Sequence, residues 1–280
     1  MKILGIAVWG LGRHALMRII PALSLMEKVS LIGVCSRNKD IVTKCCLDWN
    51  CKGWTNPTEM LNNEEVDVVF IATPIGIHAT QAAQALDLGK HVWCEKPLTC
   101  DYKDTQLLIK LAKKKNLMLA ESFMYLHHPQ FKKIQNFIDN IENGRVRSIV
   151  CRFGIPTIDT PSFRNNASLG GGAFWDIASY PVSAVLALFY GQSVKVLFSE
   201  LINDKNTHLD TEGRVLLRFS NGVVAYLEWR IGVAYKNEID LWADNGSFYT
   251  EKIFSKPENY LPVYRIRNQY GEESFFDGER

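Results

Sequence analysis

Residues 3–15 read ILGIAVWGLGRHA, and this stretch decides the first half of the fold. Residues 3–9 (ILGIAVW) are an apolar run of strand length, and residues 12–25 carry apolar side chains at helical spacing. Between them lies Gly10-Leu11-Gly12-Arg13-His14-Ala15, a G-x-G-x-x-A turn. The first glycine permits the tight turn, and the second lets backbone approach a pyrophosphate. Ala15 is small enough for helix to lie close on strand, and the helix N-terminus offers N–H donors to an anion. A glycine pair alone is a weak signal. Placed between a strand and a helix, it predicts dinucleotide binding.

Moving outward, the same alternation continues. Strand SLIGVC (30–35), helix 38–48, strand VDVVFIAT (66–73), helix 77–88, strand HVWC (91–94), helix 102–115 and strand LMLAES (117–122) follow in turn. Apolar strands separated by helices of ten or more residues predict βαβ units and a parallel sheet covered on both faces. The expected result is a doubly wound, Rossmann-type α/β domain over residues 1–122.

Residues 123–280 have a different texture. A helix from Pro129 to Ile141 and a strand over 146–155 precede Gly170-Gly171-Gly172, and one more helix reaches Phe189. The runs KVLFSELI, EGRVLLRFS, VVAYLEWRIG, EIDLWA, SFYTEKIF and PVYRIR then read as strands. Asn221-Gly222 and Asn245-Gly246 each join two of them, and Asn-Gly is a strong hairpin signal. This half is expected to be an α+β domain with a mostly antiparallel open sheet. Residues 270–280 read as a polar tail.

Composition narrows the function. Of 280 residues, 47% are apolar and 22% charged, as in ordinary globular chains, and a net charge of +2 gives no general attraction to nucleic acid. No apolar stretch spans a bilayer and no leader opens the sequence, so neither membrane nor nucleic acid is an expected partner. The seven cysteines form no C-x-x-C pair, which argues against a zinc site and for reduced thiols in the cytoplasm. No metal site is expected.

Cofactor choice is read at the end of the second strand. An acidic residue there would bind the ribose hydroxyl of NAD; this chain has Ser36-Arg37-Asn38-Lys39. A hydroxyl and a guanidinium suit a 2′-phosphate, which arginine grips in bidentate fashion, and Arg13 is placed to close the same pocket. NADP is therefore favoured over NAD. A solvated loop with surface charges is the plain alternative.

Three further segments complete the pattern: Thr73-Pro74 with His78, Glu95-Lys96-Pro97, and Gly170-Gly171-Gly172-Ala173-Phe174-Trp175-Asp176-Ile177-Ala178-Ser179-Tyr180. With the glycine turn, in this order, they resemble the glucose–fructose oxidoreductase / inositol dehydrogenase (Gfo/Idh/MocA) family of NAD(P)-dependent sugar oxidoreductases, along nearly the whole chain. The resemblance implies that Gly10, Gly12, Thr73, Pro74, His78, Glu95 and Lys96 serve the cofactor, with Lys96 beside both nicotinamide and substrate. It implies that Asp176 and Tyr180 line the substrate pocket. Residues 123–130 (FMYLHHPQ) look like the sugar-nucleotide ketoreductase and aldose dehydrogenase branches. The family usually continues past the sheet with a helical segment that is absent here.

Asp176 and Tyr180 are four apart and so share a helix face, while Pro181 should kink the helix beside Tyr180. Hydride addition to a ketone leaves an alkoxide that needs a proton. A tyrosine next to an ammonium is a better proton donor, so Lys96 and Tyr180 are the expected catalytic pair, with Asp176 as partner. His127, His128 and Arg164 are further candidates for substrate. Helix capping is the alternative for the histidines, and a solvated loop for the arginine. The expected activity is hydride transfer between NADP and a sugar or polyol. The rival is a non-catalytic NAD(P)-binding regulator of the same family. Strand VVAYLEWRIG alternates between faces, and the sheet face left without helices, like the resemblance, implies a homodimer or dimer of dimers.

Overall fold

The computed structural model describes residues 2–157, 163–257 and 259–278. The chain forms two units: Met1–Ser122 with Ser168–Gly170, and Phe123–Ala167 with Gly171–Arg280.

The first unit is built on six strands: β1 (Leu4–Trp9), β2 (Val29–Cys35), β3 (Lys52–Trp54), β4 (Val68–Ile71), β5 (His91–Glu95) and β6 (Leu119–Ser122). They form one parallel sheet in the order β3-β2-β1-β4-β5-β6. Side chains alternate across a strand, and β1 shows why its sequence is apolar throughout. Ile6 and Val8 enter a core with Ala15, Ile20, Leu23, Val42 and Phe70. Ala7 and Trp9 enter another with Met60, Val69, Ala82, Leu86 and Leu108.

The connecting helices are α1 (Ile20–Ser24), α2 (Lys39–Trp49), α3 (Pro57–Leu61), α4 (His78–Asp87) and α5 (Tyr102–Lys115). Their starts follow local chemistry: Asn38 caps α2, Asn56 caps α3 and Asp101 caps α5, each accepting N–H groups of the first turn. Two short elements, β3 and α3, were not predicted. The segment read as one helix over 12–25 opens with a π turn at Ala15–Ile19 before α1.

The second unit holds α6 (Pro129–Asp139), β7 (Val146–Ile155), α7 (Ser179–Leu188), β8 (Val194–Asn203), β9 (Asp210–Phe219), β10 (Val224–Ile231), β11 (Lys236–Ala243), β12 (Gly246–Glu251), β13 (Val263–Asn268) and β14 (Glu273–Asp277). The sheet order is β14-β13-β12-β11-β7-β10-β9-β8, antiparallel except where β10 lies parallel to β7. Both Asn-Gly pairs join antiparallel neighbours. The polar tail is not a tail: residues 273–277 pair with β13 as an edge strand.

One face of this sheet, including Ile149, Phe153, Leu227, Trp229 and Leu241, packs with Phe131, Ile134, Phe137, Ala184 and Val185 of the helices. The face of β10 that carries Ala225, Leu227 and Trp229 is thus the covered one. The opposite face carries ion pairs. Arg152 bonds Glu228 at 3.2 Å and Glu238 at 2.9 Å, and Glu238 also accepts from Lys236 and from the Tyr249 hydroxyl. Burial alone would raise the Glu238 carboxyl. The bonds from Lys236, Arg152 and Tyr249 outweigh it and hold the group below its usual range.

Candidate active site

The first unit presents its candidates at the ends of β1 and β4, where the sheet order reverses. In open α/β sheets this reversal point is where ligands bind. Gly10 has φ +106°, and a Cβ there would collide with the Ala72 carbonyl and the Thr73 methyl. Only glycine lets β1 turn so close to β4. At Gly12 a Cβ would meet nothing within 4 Å, so the turn faces open space there.

At the end of β2, the Ser36 N–H donates to the Trp54 carbonyl at 3.1 Å, and Ser36 Oγ accepts from the Asn38 N–H at 3.3 Å. Asn38 is a helix cap. Arg37 and Lys39 beside it are exposed, as is Arg13. A cluster of a hydroxyl and cations with no acidic residue at the strand end fits a 2′-phosphate better than a bare ribose.

The Thr-Pro turn and the Glu-Lys-Pro turn are joined by one ring. His78, 1% exposed, places Nε2 2.8 Å from the Thr73 carbonyl and Nδ1 3.0 Å from the Pro97 carbonyl. The sequence placed His78 on the cofactor; the structure makes it a brace between two turns. Thr73 Oγ1 also has a protein partner, donating to Gln81 Oε1 at 2.5 Å. The Glu95 side chain is largely buried, with His14 Nε2 3.3 Å from Oε1. Lys96 is half-buried, precedes a cis bond to Pro97, and acts electrostatically on Glu121 and His78.

Burial pushes the His78 pKa below its ordinary 6.5, against the opposing pull of the Pro97 and Thr73 carbonyls and Glu95. The native state therefore binds fewer protons at this ring than the unfolded chain does. Stability is complete above about pH 6.5 and falls as the pH drops below it. His78→Gln, neutral at every pH, is expected to lose less stability than the parent between about pH 7 and about pH 5. Urea unfolding at the two pH values checks this, and equal losses would place the acid sensitivity elsewhere.

In the second unit, Asp176 is 4% exposed and is held by Arg164 in bidentate fashion, Nε donating to Oδ2 and Nη2 to Oδ1. The guanidinium also lies 4.8 Å from the Phe163 ring centroid. Arg164 is thus neither a solvated loop residue nor unengaged; it fixes the carboxylate. Tyr180 is half-buried among Phe123, Tyr125, Phe153 and Phe254, with ring centroids 5.2–6.2 Å apart. The Tyr125 hydroxyl is anchored on Ser183 Oγ at 2.6 Å.

Pro181 lies about eight residues into a helix that runs unbroken from Ala173, where its missing N–H leaves a carbonyl of the preceding turn without its intrahelical donor. The irregularity is a π turn at Phe174–Ala178 just before it.

His128 follows the capping alternative: its Nδ1 accepts the Gln130 N–H at 3.1 Å and starts α6. Burial and the nearby Lys256 ammonium lower its pKa, which keeps the ring a neutral acceptor. His127 is exposed at the end of a single 3-10 turn, Met124–His127. Sequence reasoning missed Lys256, whose ammonium burial pushes down to about 8. A lysine in a loop after a strand carries no signal of this.

A family model described as "Oxidoreductase family, NAD-binding Rossmann fold" matches residues 4–123, and the GFO/IDH/MocA C-terminal domain matches residues 131–249. The chain belongs to the Gfo/Idh/MocA oxidoreductases. Among its relatives in that family is a dTDP-3,4-didehydro-2,6-dideoxy-alpha-D-glucose 3-reductase from Saccharopolyspora spinosa. It is 30% identical over 94% of this chain and 79% of its own length. The enzyme of the same name from Actinomadura kijaniata is 31% identical over 96% of this chain and 81% of its own length. The crystal structure of KijD10, a 3-ketoreductase from Actinomadura kijaniata in complex with NADP and TDP-benzene, superposes with a TM-score of 0.93 at 29% identity. The match covers 99% of this chain and 85% of that one. Membership makes the chain an oxidoreductase with an NAD-binding Rossmann domain. Among the described residues, no helix is long and apolar enough to cross a membrane.

Proposed function

We propose that this chain is an NADPH-dependent reductase of a keto group on a sugar, with a nucleotide-linked keto-sugar as the favoured substrate class. The observation that carries the reading is the whole-length likeness to 3-ketoreductases of dTDP-sugars, over 94% of this chain. When bound, NADPH supplies the hydride; the protein binds, orients and polarises. Gly10 and Gly12 receive the pyrophosphate, and Arg13, Ser36 and Arg37 receive the 2′-phosphate. The Lys96 ammonium draws charge from the carbonyl oxygen, and the Tyr180 hydroxyl gives its proton to the forming alkoxide. Asp176, held by Arg164, orients a sugar hydroxyl.

Screening keto-sugars and their nucleotide conjugates for NADPH oxidation tests the reading. Tight NADPH binding with no turnover on any of them would leave a nucleotide-binding regulator instead.

Arg37 is expected to set the cofactor preference. A charge-assisted contact to the 2′-phosphate is worth about 1.5–3 kcal/mol, or roughly ten- to a hundredfold in affinity. Arg37→Ala should remove most of the preference for NADPH and leave NADH affinity nearly unchanged, as read by fluorescence titration. Equal affinity of the parent chain for both cofactors would sink the assignment.

The same reading extends to assembly and setting. The open sheet face, with Arg152 at its centre, is the surface through which two copies meet, because a sheet covered on one side only leaves the other side to find a cover. Light scattering should give at least twice the chain mass, and a monomer at micromolar concentration would count against it. The seven unpaired thiols suit a reducing cytoplasm, which cell fractionation checks.

A further inference from the structure

The first residues of a helix leave backbone N–H groups without intrahelical partners. At the helix that carries Asp176 and Tyr180, those donors are met by a carboxylate from another element. Asp210, the first residue of β9, stands 36 positions beyond Phe174 in sequence. Its Oδ2 accepts the Phe174 N–H at 2.5 Å, and the N–H groups of Ala173 and of Asp210 itself also bond to the carboxylate. Gly172 has φ +105°, and a Cβ there would land on Oδ1 of Asp210. Glycine at 172 thus serves both the turn and the carboxylate beside it.

The same glycine is gripped from the other side. Its N–H donates to the Arg164 carbonyl at 3.2 Å, while the Arg164 guanidinium holds Asp176. The start of the helix is therefore fixed between Arg164, in the loop before it, and Asp210, at the start of β9. A shift there moves Asp176 and Tyr180 together.

We infer that Asp210 is a positioning residue: by capping the helix start at Ala173 and Phe174, it sets where Asp176 and Tyr180 are presented. The kinetic consequence rests on the reductase reading above; the capping itself does not.

The test uses Asp210→Ala, which removes the acceptor, and Asp210→Asn, which keeps an oxygen acceptor without the charge. Hydrogen exchange of the peptide spanning residues 172–176 should quicken about five- to twentyfold in Asp210→Ala and stay close to the parent in Asp210→Asn. Turnover should fall roughly ten- to a hundredfold in Asp210→Ala, as expected for a misplaced reacting group, and recover to within about threefold in Asp210→Asn. NADPH affinity should be unchanged in both. Gly172→Ala, which pushes the carboxylate aside, should reproduce the loss if Asp210→Ala proves too unstable to assay. Parental exchange rates in Asp210→Ala, or quickened exchange with full turnover, overturns the inference. A parent chain that turns over no keto-sugar instead defeats the proposed function, and the exchange rates then decide the capping role by themselves.

Discussion

Tyr180→Phe is expected to lower turnover by about 10²–10⁴-fold, the usual worth of a general acid, while NADPH affinity stays within a few-fold. The substitution is a clean one. Tyr180 touches Phe153, Phe254, Phe123 and Tyr125 through its ring, and the phenyl group keeps those contacts. Only the hydroxyl is lost, so a fall in turnover without a fall in melting temperature isolates the proton. Because the proton is needed only as charge develops on oxygen, the loss should appear in kcat more than in KM. Full turnover in Tyr180→Phe would move the proton donor elsewhere, and His127, exposed at the end of its short turn, would be the next to substitute.

Lys96→Met should be at least as damaging. It removes the positive charge that steadies the developing oxyanion, and a preorganised charge of this kind is commonly worth ~10²–10³-fold on its own. Methionine keeps most of the side-chain volume, so the turn braced by His78 should hold its shape. If the proposed roles hold, the double variant Lys96→Met/Tyr180→Phe should be little slower than the slower single one, since overlapping effects do not multiply. Losses that multiply would mean the two residues serve separate steps. Single-turnover measurements with bound NADPH distinguish these outcomes, because they read the chemical step without product release.

The parts of this protein that were legible in its sequence are those governed by local chemistry. The strand–glycine turn–helix signature was plain because β1 is buried on both faces and cannot afford a polar residue from Ile6 to Val8. The Asn-Gly hairpins were plain because turn geometry selects its own residues. What escaped was decided by contacts between distant segments, or by pairing too brief to leave a pattern. Strand β3 has three residues, and β14 has exposed aromatic side chains at Phe275 and Phe276 with polar neighbours, so neither shows a period.

In the candidate site, the motif residues were found but their partners were not. Arg164 lies 12 residues from Asp176, and Asp210 lies 36 from Phe174, with nothing in either neighbourhood to announce the bond. His78 was found, but its partners were not: its spacing from Thr73 is that of a ligand motif, and both ring nitrogens face main-chain carbonyls.

Both helices that follow a glycine turn open with a π turn, at Ala15–Ile19 and at Phe174–Ala178. Such a turn closes i→i+5 rather than i→i+4 and so holds one residue more than an α-helix would. Deleting that extra residue would let the chain revert to ordinary helix with the residues beyond it nearly in place, whereas the same deletion in a regular α-helix would rotate everything beyond it by about 100°. A one-residue difference in length inside either π turn is thus absorbed locally. Homologues that share every motif but are one residue shorter between Gly12 and Ile20, or between Gly172 and Tyr180, would keep the same side of the helix toward the same neighbours. One residue lost further along α7 would instead turn the rest of that helix onto a new face.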